Sequence, residues 1–197
     1  MSLKPVKQTL SGGIPIFAKV LEVFTGGFSL VTSGFNVGSD VTLPAGSLLI
    51  VNEATRTATP LKTGVIATSS AEGTAHRILK GTHHFAVGDK VARIVGRGAH
   101  GIKSISATGP IYDRIVLATS IGNGIATGPV LWVSSAQGTD KAAVQTPNAL
   151  SMYDVVMESG GGVAALRRGT AYKNRIQAHV AGHLTTLPAT IQISQSY

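Results

Sequence analysis

The chain contains no cysteine, so disulfides, thiolate nucleophiles and cysteine-based zinc sites are excluded. Charge is also scarce. Only 13% of residues are Asp, Glu, Lys or Arg, which is low for a free-standing soluble monomer and favours surface hidden in an assembly. Aromatic residues make up 5%, with one Trp and four Tyr, so platforms for stacking bases or sugars are few. No run of 18 apolar residues occurs. The longest candidate, 14–31, is broken by Lys19, Glu22 and Gly26–Gly27, and no membrane insertion is expected. The opening M-S-L-K-P-V-K-Q-T-L-S-G-G has basic residues but no apolar core, so no secretory signal is read there. Beyond Glu158 acidic residues stop altogether, while Arg167, Arg168, Lys173 and Arg175 follow.

What is present points to β structure. Val, Ile and Thr total 54 of 197 residues, a bias toward half-buried pleated surfaces and away from long helices. The 24 glycines are dispersed rather than periodic, which excludes collagen-like and low-complexity readings. Net charge is +8, and between His76 and Ile105 six basic residues meet one acid, Asp89. The candidates for contact with an anionic surface are Arg77, Lys80, Arg93, Arg97, Lys103, Arg167 and Arg168. Nucleic acid is disfavoured as the partner, because no aromatics interleave with these basics and no recognition motif accompanies them.

The chain says one phrase twice. Residues 43–51 read L-P-A-G-S-L-L-I-V and residues 125–133 read I-A-T-G-P-V-L-W-V, each turning on a glycine before a buried-strand run. An echo follows each copy, I-L-K-G-T at 78–82 and A-L-R-R-G-T at 165–170, a spacing that fits two related β units. The expected fold is all-β, a β-barrel or β-sandwich of short hairpins with little helix, with or without two related halves. Composition divides the chain into an N-terminal arm and docking segment (1–42), a first β unit (43–95), a glycine-rich connector (96–110) and a second β unit (111–197). Residues 43–197 alternatively form one compact domain.

Within this frame, 14–42 holds apolar segments that fit strand or short helix. Short strands are expected at 48–51, 65–67, 77–79 and 91–95, with a hairpin through 134–141. Residues 112–119 carry apolar side chains on both faces and read as a strand covered on two sides. Residues 147–158 fit a short helix or a strand at 154–157, and the tail A-T-I-Q-I-S-Q-S-Y alternates as a closing strand.

No motif with supporting context carries chemistry. G-R-G-A-H-G at 96–101 spells a dinucleotide fingerprint, but the helix that should follow it is missing and Gly109–Pro110 cuts the sequence. The same stretch misses a P-loop because Ile102 separates Gly101 from Lys103–Ser104. His179 and His183 have the i, i+4 spacing of metal ligands on a helix, but no glutamate lies between them and Gly182 weakens the helix. Surface or loop positions are the default for them and for His83–His84. Nine carboxylates sit mostly in turns, and no G-x-S-x-G elbow occurs. A non-enzymatic chain with no cofactor and no resident metal is expected.

Y-D-R-I-V-L-A-T-S-I-G (112–122), the two copies of the phrase, and A-L-R-R-G-T-A-Y resemble the head-fibre and capsid-decoration proteins of tailed bacteriophages, over residues 40–175. The resemblance implies a β-rich homotrimer on the virion surface, made in the host cytoplasm and attached by an N-terminal docking region. Its partners would be further copies of itself and the major capsid protein or another virion protein; a host-surface glycan is the partner on the receptor-binding alternative. Three copies of Trp132 would then pack near a shared core. The basic surplus is not implied by the resemblance. A carbohydrate- or receptor-binding module and a basic nucleic-acid-binding β barrel are the alternatives.

Overall fold

Short apolar segments, many of them rich in β-branched residues and separated by glycine or polar turns, build sixteen short strands among the described residues. The computed structural model describes residues 15–35, 37, 41–80, 83–107, 110–122, 125, 128–134 and 144–195. Outside them lie the first 14 residues of the docking arm, Asp40, Asp140, Gly81–Thr82 of the first echo, Thr108–Gly109 of the connector, Ala126–Thr127 of the second phrase, 135–141 of the expected hairpin and Ser196–Tyr197 of the expected closing strand. The strands are β1 (Phe17–Val23), β2 (Phe28–Leu30), β3 (Thr42–Leu43), β4 (Leu48–Asn52), β5 (Thr57–Pro60), β6 (Thr63–Ser69), β7 (Ala75–Leu79) and β8 (Lys90–Ala92). They continue as β9 (His100–Ala107), β10 (Tyr112–Leu117), β11 (Val130–Val133), β12 (Ala149–Ser151), β13 (Val155–Val156), β14 (Gly162–Val163), β15 (Ala165–Tyr172) and β16 (Ile191–Ser194). Helix is confined to a 3-10 turn at Lys173–Arg175 and to α1 (Ala181–Thr185). The protein is all-β.

Two bodies result. Strands β6 to β11, contiguous in sequence, close into a six-stranded antiparallel barrel in the order β10-β7-β6-β11-β8-β9. Its interior is filled by Ile66, Ile78, Phe85, Val91, Ile102, Ile115, Leu117 and Leu131. The flanking chain forms an eight-stranded sheet, β1-β15-β12-β4-β5-β2-β14, with β16 added parallel to β15. Apolar clusters around Leu49 and Met157, and around Leu48, Leu150 and Leu166, hold this sheet. The barrel is thus an insertion between β5 and β12, entered through only Leu61–Lys62.

This arrangement differs from the sequence division. Residues 100–107 of the expected connector are strand β9, paired to β8 and β10. Ile102 is buried in the barrel and Ile105 packs against its core, so the β-branched residues that broke a helix serve as strand formers. Within the expected arm, β1 pairs with β15, and β2 with β5 and β14. Residues 147–158 form the two short strands β12 and β13 rather than a helix. The strand expected at 91–95 ends at Ala92, leaving Ile94 and Val95 exposed. Strand β10 is covered on one face only, because Ile115 and Leu117 turn into the barrel while Arg114 faces solvent.

The repeated phrase has one structural meaning in both places. Gly46 N–H donates to the Ser151 carbonyl at 2.8 Å, and Ser151 N–H donates to the Ser47 carbonyl at 2.9 Å. Gly128 N–H donates to the Ile66 carbonyl, and Ile66 N–H to the Pro129 carbonyl, each at 2.9 Å. Two phrase residues therefore oppose one residue of the neighbour, a bulge whose first position takes glycine; φ is +78° at Gly46 and +112° at Gly128. The runs β1-β15-β12-β4-β5 and β10-β7-β6-β11-β8 are both wholly antiparallel, with a phrase strand (β4, β11) fourth and an echo strand (β15, β7) second. The echoes are crossed: the first phrase shares a sheet with the second echo, and the second phrase with the first. At Gly46 an added Cβ would lie 2.8 Å from Ile16 Cγ2, whereas nothing lies within 4 Å at Gly128 among the described residues. Gly46→Ala should therefore cost about 2 kcal/mol or more and Gly128→Ala about 1, since only the first adds a collision to the backbone strain. Urea midpoints of the two variants check the order.

Candidate functional site

On β7, His76 and Ile78 are buried, so strand alternation sends Arg77 outward. On β10, Ile115 is buried, so Arg114 is outward too. Pairing places these two arginines directly opposite each other, with Thr68 of β6 beside Arg77 and Ser106 of β9 beside Arg114. One row thus crosses four neighbouring strands as hydroxyl, guanidinium, guanidinium, hydroxyl. Arg77 and Arg114 line a cleft of about 240 Å³ with Thr68, Ser69 and Ser70. Among the described residues neither guanidinium has an ion-pair or hydrogen-bond partner; the ion pairs present are Lys62–Asp89, Lys80–Asp113, His83–Asp113 and Arg167–Glu22.

The remaining expected basic residues do not join this row. Lys80 is ion-paired to Asp113 at 3.8 Å. Arg93 follows β8, half-buried, with its Nη2 3.4 Å from where a Cβ on Gly122 would stand. Arg97 lies exposed in the turn after β8, and Lys103 is exposed on β9. Arg167 and Arg168 are exposed on β15 of the other body, where Arg167 bonds Glu22 at 3.0 Å and lies over the Phe24 ring. The barrel and the sheet therefore carry separate basic surfaces. Arg114 was not among the expected contact residues. Its outward alternation was readable, but its position opposite Arg77 is a long-range fact.

His83, His84 and His179 lie in loops as expected, whereas His183 lies in α1 and both His84 and His183 are buried rather than at the surface. His76, His84 and His183 are at most 1% exposed. Burial, with the neighbouring His83 and Lys62 charges, lowers His84 from 6.5 to about 4. Burial and the His179 charge lower His183 to about 4 as well. His76 is lowered chiefly by burial, with the Arg93 charge adding to it. His183 lies in the short α1, edge-on to Trp132 at 6.3 Å, while His179 precedes the helix with its Nδ1 2.8 Å from the Gln177 carbonyl oxygen. Trp132 is 1% exposed within its own chain, packed with Ala92 and Ala99, so it is not available for a core shared among copies. Among the described residues no group of three or more His, Asp or Glu gathers as a metal site.

Where barrel meets sheet, the surface is apolar. Pro44, Val65, Leu79, Ile176 and Ala178 line an open groove of about 310 Å³, joined by the polar Gln177. Leu79 pairs with Tyr112, and the adjoining Ile111 is 56% exposed. Two anchors fix this seam. Gln177 accepts from Leu48 N–H at 3.2 Å and donates to the Leu61 carbonyl at 3.1 Å. Lys62, 7% exposed in the link, bonds both Asp89 oxygens at 2.9 and 2.7 Å, donates to the Gly34 carbonyl, and lies over the Phe35 ring. Comparison with protein-family models, curated proteins and solved structures finds no match.

Proposed function

We propose that this chain is a non-enzymatic structural protein of a phage virion, an oligomeric head-fibre or decoration module on the outer capsid surface. The observation that carries the reading is the apolar seam. Exposed Leu79 and Ile111 border a groove lined by Pro44, Val65 and Ile176, a surface suited to burial against another copy. Lys80, next to Leu79, is matched by Asp113 at 3.8 Å, which lessens its repulsion between copies whose net charge is +8. The resemblance of the repeated phrase and of 112–122 to head-fibre and decoration proteins supplies the virion assignment. The glycine bulges give that phrase a scaffold role. The unpaired arginines of the barrel suit contact with an acidic capsid surface.

Co-sedimentation with heads of the phage that encodes the chain tests the assignment. The protein should pellet with the heads at saturating stoichiometry, and binding should weaken from 50 to 300 mM salt. Protein that stays in the supernatant at low salt overturns the virion reading. Binding to a glycan array in place of heads would favour a receptor-binding module.

A further inference from the structure

We infer that the Arg77–Arg114 row is a binding site for a tetrahedral oxyanion, a phosphate or sulfate carried as a monoester. Cross-strand neighbours have Cβ atoms about 5 Å apart, and like charges placed so are unfavourable. Here two guanidiniums take that position on a rigid barrel wall with no carboxylate between them among the described residues. Glu72, on the turn joining β6 to β7, pairs with neither of them. An oxyanion bridging the pair converts the repulsion into two charge-assisted contacts, and the guanidinium fork matches the spacing of its oxygens. The Thr68 and Ser106 hydroxyls stand at the two ends of the same row, without side-chain partners among the described residues, and can donate to remaining oxygens. The cleft of about 240 Å³ opens past Ser69 and Ser70, leaving room for the group that carries the anion.

Each wall position is fixed from behind. His76, Ile78 and Ile115 alternate with the arginines and are buried in the barrel, so the Cα positions of Arg77 and Arg114 are held opposite each other by the strand pairing. The site requires neither oligomer nor capsid, although it draws on the same two arginines that the virion reading turns toward an acidic surface.

Thermal unfolding tests the inference directly, in chloride, inorganic phosphate and glycerol 3-phosphate at matched ionic strength. Phosphate strengthens burial in any protein, so the readout is the difference between wild type and Arg77→Gln/Arg114→Gln. Wild type should gain about 4 °C more than the double variant when the anion stands at ten times its dissociation constant. Arg114→Gln alone should raise the midpoint in chloride by relieving the repulsion, and should abolish the anion-specific gain. A larger gain with glycerol 3-phosphate than with inorganic phosphate identifies the monoester as the ligand, and the reverse order identifies the free ion and overturns the monoester assignment. Equal gains in wild type and double variant, with no broadening of the phosphorus NMR signal by wild type, overturn the site.

Discussion

Acidification from pH 7 to pH 5 should destabilise the protein by about 4 kcal/mol through two histidines alone. An unfolded histidine titrates near 6.5, while His84 and His183 in the folded chain titrate at about 4. Between those values the unfolded chain binds more protons, so stability rises with pH across the window. The contribution is complete above about pH 7, falls as the pH drops through 6.5, and is exhausted below about pH 4. Burial is the main cause at both sites. His84 and His183 are at most 1% exposed, so the cost of charging them is scarcely screened. His76 acts in the same direction, adding to the loss. Urea titrations at pH 7, 6 and 5 measure the slope, and His84→Leu should remove about half of the two-histidine loss. A stability flat from pH 7 to 5 would contradict the neutral, buried placement of both rings.

Asp89→Ala should cost about 3–5 kcal/mol, far more than a surface substitution. It strips Lys62 of its only carboxylate partner among the described residues and leaves an ammonium that is 7% exposed with one carbonyl and the Phe35 ring. It also removes the acceptor of the Ala86 N–H, bonded to Asp89 at 2.8 Å. The double variant Lys62→Met/Asp89→Leu should recover most of the loss, since no buried charge then remains. Equilibrium denaturation of the three proteins makes the comparison. The pair also ties the two bodies together: Lys62 sits in the two-residue link, Gly34 follows β2 of the sheet and Asp89 precedes β8 of the barrel. The single variant should therefore loosen the seam even where the chain remains folded.

Local features of the sequence carried much of this fold. The β-branched bias, the turns at Gly46 and Gly128, and strands such as Leu48–Asn52 and Ile191–Ser194 follow from periodicities that span a few residues. Pairing is a different matter, because a strand's partner lies scores of residues away. Nothing local shows that β7 sits between β6 and β10, and so nothing local shows Arg77 opposite Arg114. The same holds for the crossed echoes, and for Lys62 and Asp89, which look like ordinary turn charges until the barrel closes. Glycines at 96 and 98 masked β9, whose strand character rests on Ile102 and Ile105 further along. The burial of His84 and His183 is not legible for a chemical reason: imidazole is intermediate in burial, so composition gives no sign of which rings enter a core.

Sedimentation velocity at micromolar concentration tests most directly the proposal that the seam joins copies of this chain. Wild type should sediment as a multiple of 20.2 kDa, three copies on the trimeric reading, and Leu79→Asp/Ile111→Asp should sediment as a single folded chain. A wild type that remains monomeric at 20.2 kDa would contradict the account.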